Sequence, residues 1–200
     1  MNKIIFASNN KNKADEIRMI LGSDYEIITL KEAGIDIEIP EPHHTLKENA
    51  IEKATVIHQM TNANCFSEDT GLEVEVLNGA PGVFSARYAG ENAGAADNIE
   101  KLLRELQGKE DRKACFTTCI CLILNGNQHF FEGKCHGTIT TFATGSNGFG
   151  YDPVFIPDGY EHTFAELDQQ TKANISHRKK AVAKMVAFLQ QTNLVSANKF

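Results

Sequence analysis

The stretch ACFTTCICLILNGNQHFFEGKCHGTITT, residues 114–141, decides the fold of this chain. From Ala114 to Leu124 the side chains alternate, and they are mostly of types that favour β-strands. Gln128 to Thr141 can pair with this first run across Asn125-Gly126-Asn127, and Asn-Gly is common in tight hairpin turns. We therefore predict a long hairpin of two antiparallel strands.

Shorter elements precede the hairpin, beginning near the N-terminus. Lys3 to Ala7 is an apolar run that predicts a strand, and apolar residues at helical spacing then predict a helix ending at Gly22. Tyr25 to Leu30 predicts a second strand. The sequence Thr45-Leu46-Lys47-Glu48 matches a capping box, so we expect a further helix to begin there.

A third group of elements lies just before the hairpin. Cys65 to Asp69 and Leu72 to Val76 are predicted as two strands separated by a turn at SEDTG, residues 67–71. A helix is predicted from about Ala95 to Leu106. Strands and helices therefore alternate along this half of the chain, as in an α/β protein.

The region after the hairpin begins with a loop and ends with a helix. The segment GSNGFGYDP, residues 145–153, is a loop by composition, and Ser176 is expected to cap the last helix. No linker, internal repeat or low-complexity segment divides the sequence. We therefore predict a single domain over residues 1–200, of α/β class, with a mixed β-sheet flanked by helices.

Charge and hydropathy restrict the possible partners and location. With 26 acidic and 20 basic residues the formal net charge is -6, which argues against a general nucleic-acid surface but leaves room for a basic pocket. The apolar run near the N-terminus is too short for a signal-peptide core or a membrane span. We expect a cytoplasmic protein that binds neither nucleic acid nor membrane.

The cysteines indicate neither a disulfide framework nor a zinc site. They are odd in number, three of them lie in one apolar run, and none has the spacing of zinc ligands. The five residues are Cys65, Cys115, Cys119, Cys121 and Cys135. We expect free thiols in a reducing compartment.

The sequence SNNKNK, residues 8–13, stands where the first strand ends and the first helix begins. Backbone N–H groups at a helix start attract anions, and the side chains of Ser8, Asn10 and Lys13 could converge on phosphate oxygens beside them. A capped helix with solvated lysines is the alternative interpretation. The segment lacks the spacing of a Walker A loop.

Glu68 and Asp69 are adjacent carboxylates at the end of a predicted strand, beside Thr70-Gly71. They repel one another unless a cation or solvent screens them. Mg²⁺ suits such a sparse acidic site, because it uses few protein carboxylates and shares its other positions with water and substrate phosphates. A solvated turn is the alternative.

Three further polar residues are candidates for a functional site only in combination with this carboxylate pair. Glu41 is a lone carboxylate in a loop, whereas Asn49 and Lys53 are four residues apart and share one face of a predicted helix. Each by itself indicates solvated surface. With the carboxylates they give the composition that phosphoryl-transfer sites use to balance charge.

The predicted loop GSNGFGYDP could bind a base. Its three glycines permit close backbone approach to a ligand, and Phe149 and Tyr151 could stack on an aromatic ring. The alternative is a flexible hairpin whose aromatic side chains turn into the core. The forward G-x-G-x-x-G order is absent, so no dinucleotide site is predicted.

Positive charge at the start of the last helix is a further candidate signal. His177 and Arg178 follow Ser176, where positive groups oppose the helix dipole unless a ligand compensates. Lys172 lies just upstream, in a segment without apolar periodicity. These residues are candidates for contact with a ligand.

Five ordered segments carry a resemblance to a known family. They are SNNKNK (8–13), TLKENAIEKA (45–54), SEDTGLEVEVLNGAPGVFSARYAG (67–90), GFGYDP (148–153) and KANISHRKKA (172–181). In this order and at this spacing they resemble the inosine/xanthosine triphosphate pyrophosphatases. The similarity runs from Ile4 to about Leu189 and is far more specific than any one motif.

The resemblance implies a fold and an activity. The fold would have two lobes around a nucleotide-binding cleft and a curved mixed sheet, and the protein would usually be a homodimer. The activity would be Mg²⁺-dependent hydrolysis of deaminated purine nucleoside triphosphates (ITP, dITP, XTP) to the monophosphate and pyrophosphate. Periodicity and composition do not imply these properties.

The resemblance also assigns roles to single residues. Asp69 would activate the attacking water, with Lys13 and Lys53 as catalytic cations. The metal region would comprise Glu41, Glu68 and Asp69. The phosphates would be bound by Ser8, Asn9, Asn10, Lys11, Asn12 and Lys13, together with Lys53, and Thr70 would contact the substrate. The base pocket would comprise Phe149, Gly150, Tyr151, Asp152, Lys172, His177 and Arg178.

Two positions depart from the commonest family pattern, and two other functions compete. Glu68 stands where many members have Asp, and Tyr151 where some have Trp. A Maf-type nucleotide pyrophosphatase is the rival enzyme, and the GFGYDP and SHR segments argue against it. A nucleotide sensor that binds without cleaving is the rival of another class, against which the Glu68-Asp69 pair weighs.

Overall fold

The computed structural model describes residues 2–21 and 25–197. The strands in these ranges are β1 (Asn2–Phe6), β2 (Tyr25–Thr29), β3 (Cys65–Val74), β4 (Pro81–Gly82), β5 (Lys113–Leu124), β6 (Asn127–Ile139) and β7 (Phe155–Pro157). The helices are α1 (Lys11–Leu21), α2 (Leu46–Thr61), α3 (Ala95–Glu105), α4 (Gln169–Ile175) and α5 (His177–Ala197). The predicted end of the first helix at Gly22 lies outside the described residues.

The predicted hairpin is confirmed and forms half of the sheet. Strand β5 pairs with β6 along its whole length, from Lys113 opposite Thr138 to Leu124 opposite Asn127. At the turn Asn125 has φ 50° and Gly126 has φ 77°, the two positive values that an Asn-Gly hairpin turn requires. Local sequence therefore fixes the register of the longest strand pair.

The strands form one mixed sheet in the order β2-β1-β3-β5-β6-β7, with β4 also paired to β3. Strands β2, β1 and β3 are parallel to one another, whereas β3, β5, β6 and β7 are successively antiparallel. The expected mixed sheet is confirmed.

The predicted turn at SEDTG is wrong. Residues 65–74 form one continuous strand that pairs with β5 from Cys65 opposite Ile123 to Val74 opposite Ala114. The Asp-Thr-Gly sequence has turn composition, but β5 supplies a hydrogen-bonding partner throughout, and pairing outweighs the local preference. Gly71 has another reason to be there, because a Cβ atom at this position would lie 2.5 Å from the carbonyl oxygen of Gly82.

The segment around Lys172 also differs from the expectation. It forms the short helix α4, whose first N–H groups are capped by Asp168, and Ser176 then caps α5 by accepting from the N–H of Lys179 at 3.1 Å. The expected cap at Ser176 is thus confirmed. The helix α4 escaped sequence analysis because seven residues are too few to show an apolar period.

Separate apolar clusters build two lobes on the shared sheet. In the first lobe α1 and α5 pack on one face of β1, β3 and β5, and α2 packs on the other. In the second lobe α3 and β7 pack with the far ends of β3, β5 and β6. The expected curved, two-lobed α/β fold is confirmed, and a cleft lies between the lobes over the middle of β3.

None of the described helices has the length and apolar character needed to cross a membrane.

The five cysteines are all free thiols, as expected from their spacing.

Candidate active site

A cavity of about 460 Å³ opens between the two lobes and is called the cleft here. The first lobe contributes the β1–α1 loop and Lys53 of α2, while the second contributes Ser85 and the segment Phe149–Asp152. The predicted residues that line the cleft are Ser8, Asn9, Asn10, Lys13, Glu41, Lys53, Asp69, Thr70, Phe149, Gly150, Tyr151, Asp152, Lys172, His177 and Arg178. Tertiary structure thus brings together residues far apart in sequence.

The β1–α1 loop is ordered by its own polar side chains. Ser8 Oγ accepts from the N–H of Asn10, and Asn10 Oδ1 accepts from the N–H of Lys13, each at 3.1 Å. Capping of α1 and presentation of polar groups to the cleft are therefore both present, so the two interpretations of this loop are compatible. Lys11 and Asn12 are exposed in the first turn of α1 and do not line the cleft.

Glu41 and Asp69 form the acidic part of the cleft, and they share one cation. Lys53 Nζ lies 2.6 Å from Glu41 Oε1 and 3.0 Å from Asp69 Oδ1. The side-chain amide of Asn49 approaches Asp69 Oδ2 at 3.5 Å and is anchored on the backbone of His43. The position of Asn49 one turn before Lys53 on α2 makes both contacts possible.

The balance of burial and neighbouring charges shifts the pKa values of Asp69 and Glu41 in opposite directions. Burial raises the pKa of Asp69, and the negative charge of Glu41 adds to this effect beyond what Lys53 offsets. Burial also acts to raise the pKa of Glu41, but the positive charges of Lys53, Lys13 and Arg87 outweigh it and lower the pKa overall. A raised pKa brings Asp69 closer to the range that suits a general base near neutral pH.

Glu68 directly precedes Asp69 in β3, but the two side chains lie on opposite faces of the sheet. Neighbouring side chains of a strand point to opposite faces, so Glu68 enters the interior beside α1 and α5. Its oxygens accept from Arg178 Nε at 3.1 and 2.8 Å and from Nη2 at 2.9 Å, and Lys13 Nζ lies 3.1 Å away. Burial opposes ionisation, yet these two cations lower the pKa of Glu68 to about 2.

The two adjacent carboxylates thus have separate cationic partners. Sequence reasoning placed them in one turn, where a shared cation would relieve their repulsion. In the structure Lys53 forms an ion pair with Asp69, whereas Arg178 and Lys13 form ion pairs with Glu68. The role of Glu68 in binding metal stays a prediction.

The far end of the cleft is built around Asp152. Its carboxylate accepts from Lys172 Nζ at 2.6 Å and from the backbone N–H of Phe149 at 2.7 Å. Gly148 is required beside it, since a Cβ there would lie 2.0 Å from Asp152 Oδ2 and the residue has φ +76°. Burial raises the pKa of Asp152 despite the nearby Lys172.

Glu16 of α1 contacts two cations at this end of the cleft without lining it, and the sequence did not single it out. Its carboxylate lies 2.8 Å from Lys172 Nζ and also contacts Arg178 Nη1. Glu16 follows Lys13 by three residues and so shares its helical face, a sequence signal that could have identified it. Glu16, Glu68 and Asp152 together hold Lys172 and Arg178 in fixed positions.

The two aromatic residues of GFGYDP have different surroundings. Phe149 is half-buried, with Lys172 Nζ 4.8 Å and Arg178 Cζ 5.6 Å from its ring centroid. Tyr151 is 5% exposed, packs in the core of the second lobe and donates its hydroxyl to the carbonyl of Ser85 at 2.9 Å. The more accessible ring of the pair is that of Phe149.

His177 presents an unsatisfied polar atom. Its ring stacks on Phe116 at 4.6 Å, and burial drives its pKa well below the ordinary value, so the imidazole is neutral. Within residues 2–21 and 25–197, Nδ1 of His177 is a buried side-chain atom without a hydrogen-bond partner. Because most buried polar atoms in proteins are paired, this unpaired nitrogen marks His177, which lines the cleft, as a candidate functional residue.

Glu41 and Asp69 are carboxylates of the cleft that could hold a metal ion. No three His, Cys, Asp or Glu side chains in the described part of the chain cluster as metal ligands. Glu41 and Asp69 both reach Lys53 and both line the cleft. Two carboxylates suffice for Mg²⁺, which completes its octahedron with water and phosphate oxygens.

The chain is similar to known proteins over nearly its whole length. The sequence model of the Ham1 family matches residues 4–188. The chain belongs to the Ham1 family. The dITP/XTP pyrophosphatases of Flavobacterium psychrophilum and Porphyromonas gingivalis are 50% and 53% identical to this Ham1-family protein, over 94% of this chain and 99% and 98% of their own lengths.

Solved structures of the Ham1 family share the fold. The Ham1 protein of Staphylococcus aureus has a TM-score of 0.87 at 39% identity and covers 96% of this chain and 100% of its own. The nucleoside-triphosphatase / dITP/XTP pyrophosphatase of Mycobacterium abscessus has a TM-score of 0.75 at 37% identity, covering 92% and 98%. These likenesses extend over both lobes and the cleft between them.

Proposed function

We propose that this Ham1-family protein hydrolyses deaminated purine nucleoside triphosphates, namely ITP, dITP and XTP, to the monophosphate and pyrophosphate. Relatives named dITP/XTP pyrophosphatases, up to 53% identical over nearly the whole chain, support the proposal. The observation that carries it is the division of the cleft. Carboxylates and lysines gather at one end around Asp69, and a separate polar pocket beside an aromatic ring lies at the other.

Hydrolysis adds water across the bond between the α- and β-phosphates. We assign Asp69 as the base that accepts a proton from this water, because it is nearly buried, its pKa is raised, and Lys53 and Asn49 fix both of its oxygens. Mg²⁺, held by Glu41 and Asp69, which line the cleft, would neutralise charge on the triphosphate. Pyrophosphate leaves with the bridging oxygen, and the monophosphate keeps the oxygen of the water.

Lys13 and Lys53 are proposed to stabilise the negative charge that grows on the phosphates. Both line the cleft in a protein whose net charge is -6, so local cations have to offset the charge of the substrate. The loop at residues 8–13 adds backbone N–H groups at the start of α1, beside Ser8 and Asn10. Thr70, next to Asp69, would contact the substrate.

Base selection is assigned to the other end of the cleft. Hypoxanthine and xanthine present O6 as an acceptor and N1–H as a donor, whereas adenine presents the reverse. Lys172, His177 and Arg178 offer donors to O6, while Asp152 or a backbone carbonyl accepts from N1–H. Phe149 is the proposed stacking partner, with Gly150 and Tyr151 forming the adjacent wall.

We further propose a cytoplasmic homodimer that uses Mg²⁺ and binds neither nucleic acid nor membrane. The support is the family resemblance together with the acidic net charge. Sedimentation equilibrium tests the dimer, and a titration of activity with Mg²⁺, Mn²⁺ and Ca²⁺ tests the metal.

The experiment that tests the activity measures both products. Purified protein with Mg²⁺ is given ITP, dITP, XTP, GTP or ATP, and nucleoside monophosphate and pyrophosphate are quantified separately. We expect equimolar products from the first three and far slower cleavage of ATP. Orthophosphate as the first product would contradict the proposal, a preference for other nucleotides would favour the Maf-type alternative, and binding without cleavage would indicate a sensor.

A further inference from the structure

Arg87 lies at the rim of the cleft, on the second lobe. It ends the 3-10 turn Ser85–Arg87, whose first two residues line the cleft. Its Nη1 lies 3.4 Å from Glu41 Oε2, and its Nη2 lies 3.4 Å from the carbonyl oxygen of Glu41. The guanidinium therefore reaches across the cleft mouth to the carboxylate that also binds Lys53.

Arg87 is the least firmly paired of the cations that act on Glu41. Lys53 Nζ makes contacts of 2.6 and 3.0 Å with two carboxylates, and Lys13 is paired with the buried Glu68 at 3.1 Å. Both contacts of Arg87 with Glu41 are near the limit of a hydrogen bond, and its other acidic partner, Glu91, is 84% exposed at 3.6 Å. A strongly anionic ligand can therefore take the guanidinium from these partners at small cost.

A chain of ion contacts shows which part of the ligand Arg87 would meet. One series of ion contacts runs from Lys172, at the end of the cleft proposed for the nucleobase, through Glu16, Arg178 and Glu68 to Lys13. A second series runs from Asp69 through Lys53 and Glu41 to Arg87. Arg87 is therefore linked by ion contacts to the part of the cleft around Asp69.

We propose that Arg87 binds the pyrophosphate portion of the triphosphate, an inference that rests on the proposed function. Once Asp69 is placed at the bond that breaks and Phe149 at the base, the β- and γ-phosphates extend toward Glu41 and Arg87. The planar guanidinium presents parallel N–H donors that match two phosphate oxygens. The ring of Phe84, 5.4 Å from Arg87 Cζ, supports the side chain beside the cleft.

The experiment measures binding of inorganic pyrophosphate to the Mg²⁺-free protein by calorimetry in EDTA. We expect R87A to weaken pyrophosphate binding at least fivefold and to leave binding of inosine monophosphate unchanged. R104A is the matched control, because Arg104 is an exposed arginine on α3 and its removal changes the net charge equally. R87K keeps the positive charge but loses the paired N–H donors of the guanidinium. Its affinity for pyrophosphate should lie between the affinities of R87A and the parent protein.

A change below fivefold, an equal change in R104A, or no pyrophosphate binding by the parent protein overturns the proposal. If Arg87 served only to position Glu41, R87A would bind pyrophosphate in EDTA as well as the parent and would instead require more Mg²⁺ for activity. The titration needs no turnover, so failure of ITP hydrolysis and failure of this inference are separate results. Thermal unfolding of R87A and R104A verifies that both variants are folded.

Discussion

Both ends of the cleft contain carboxylates and basic side chains, but they differ in how far these side chains are exposed to solvent. At the base end Glu68 and Arg178 have side chains 0% and 1% exposed, and each carboxylate there has a cationic partner. At the phosphate end the side chains of Glu41 and Arg87 are 28% and 22% exposed. The pairs at the centre of each end are buried, since Lys53 and Asp69 are 9% and 8% exposed, but the Glu68–Arg178 pair is closed off more completely and the outer pair Glu41–Arg87 remains partly solvated.

This difference matches what each end has to bind. A neutral base brings no charge, so donors that select it have to be held in place beforehand, and a buried ion network does this only if every member is paired. A triphosphate and its metal bring their own charges. The residues that receive them have to exchange partners, which is easier where water remains and pairing is loose.

The largest expected effect separates chemistry from stability at the phosphate end. We expect D69N to lower kcat/KM for ITP by about 10³-fold, or about 4 kcal/mol in barrier, because the amide cannot accept the proton of water. The free energy of unfolding should change by less than ~1 kcal/mol, since the shape is kept and Lys53 retains Glu41. Steady-state kinetics and urea unfolding measure the two quantities.

The control for this variant is D158N, an exposed position in the second lobe. It should leave both quantities unchanged. Activity of folded D69N within about tenfold of the parent would remove Asp69 from the role of base.

Stability should respond most at the base end. We expect R178M to destabilise the fold by about 3–5 kcal/mol, because it leaves Glu68 buried without its main cation. K53M should destabilise the fold less than R178M, because its partners Glu41 and Asp69 line the cleft, where water can reach them once Lys53 is lost. Urea unfolding of both variants compares the two ends directly, and equal losses would refute the distinction between them.

Selectivity for the nucleobase should depend on the same network of buried ion pairs. We expect K172M to narrow the ratio of kcat/KM for ITP over ATP by about 100-fold. The variant removes a donor to O6 and frees Asp152, which lies 2.6 Å from Lys172 Nζ, to accept from the amino group of adenine. Lys109, an exposed lysine, supplies the control K109M. An unchanged ratio in K172M would place selectivity elsewhere.

Acid should protonate Asp69 before the adjacent Glu68. The pKa of Asp69 is raised by burial, so its carboxyl takes up a proton above the ordinary value of 3.8 as the pH falls. The pKa of Glu68 is lowered to about 2, so the stability it contributes is complete above pH 4.5 and is lost as the pH falls toward 2. Asp69 should therefore protonate while tertiary structure is still intact.

Carboxyl NMR of the Mg²⁺-free protein follows Asp69, with D69N to assign the signal, and near-ultraviolet circular dichroism follows the fold. Loss of tertiary structure at a higher pH than the protonation of Asp69 would invert the comparison. Added Mg²⁺ should shift the titration of Asp69 to lower pH, because the metal favours the charged form.

Several features of the protein followed from sequence alone. The alternation in residues 114–124 and the Asn-Gly turn predicted the β5–β6 hairpin, and Thr45 with Glu48 predicted the start of α2, where Thr45 Oγ1 accepts from the N–H of Glu48 at 3.2 Å. These signals are local, since they depend on the dihedral preferences and hydrogen bonds of residues within a few positions. The ordered motifs predicted the family and most residues of the cleft, though not their contacts.

Tertiary structure decided the rest, because the relevant partners are distant in sequence. Asp69-Thr70-Gly71 lies in a strand only since β5 offers it a partner, and that pairing sends Glu68 to one face and Asp69 to the other. Arg178 meets Glu16 across 162 residues and Glu68 across 110. Local periodicity specifies which backbone conformation each segment prefers, but the charges that face one another in the cleft are set by how the sheet brings α1, β3 and α5 together.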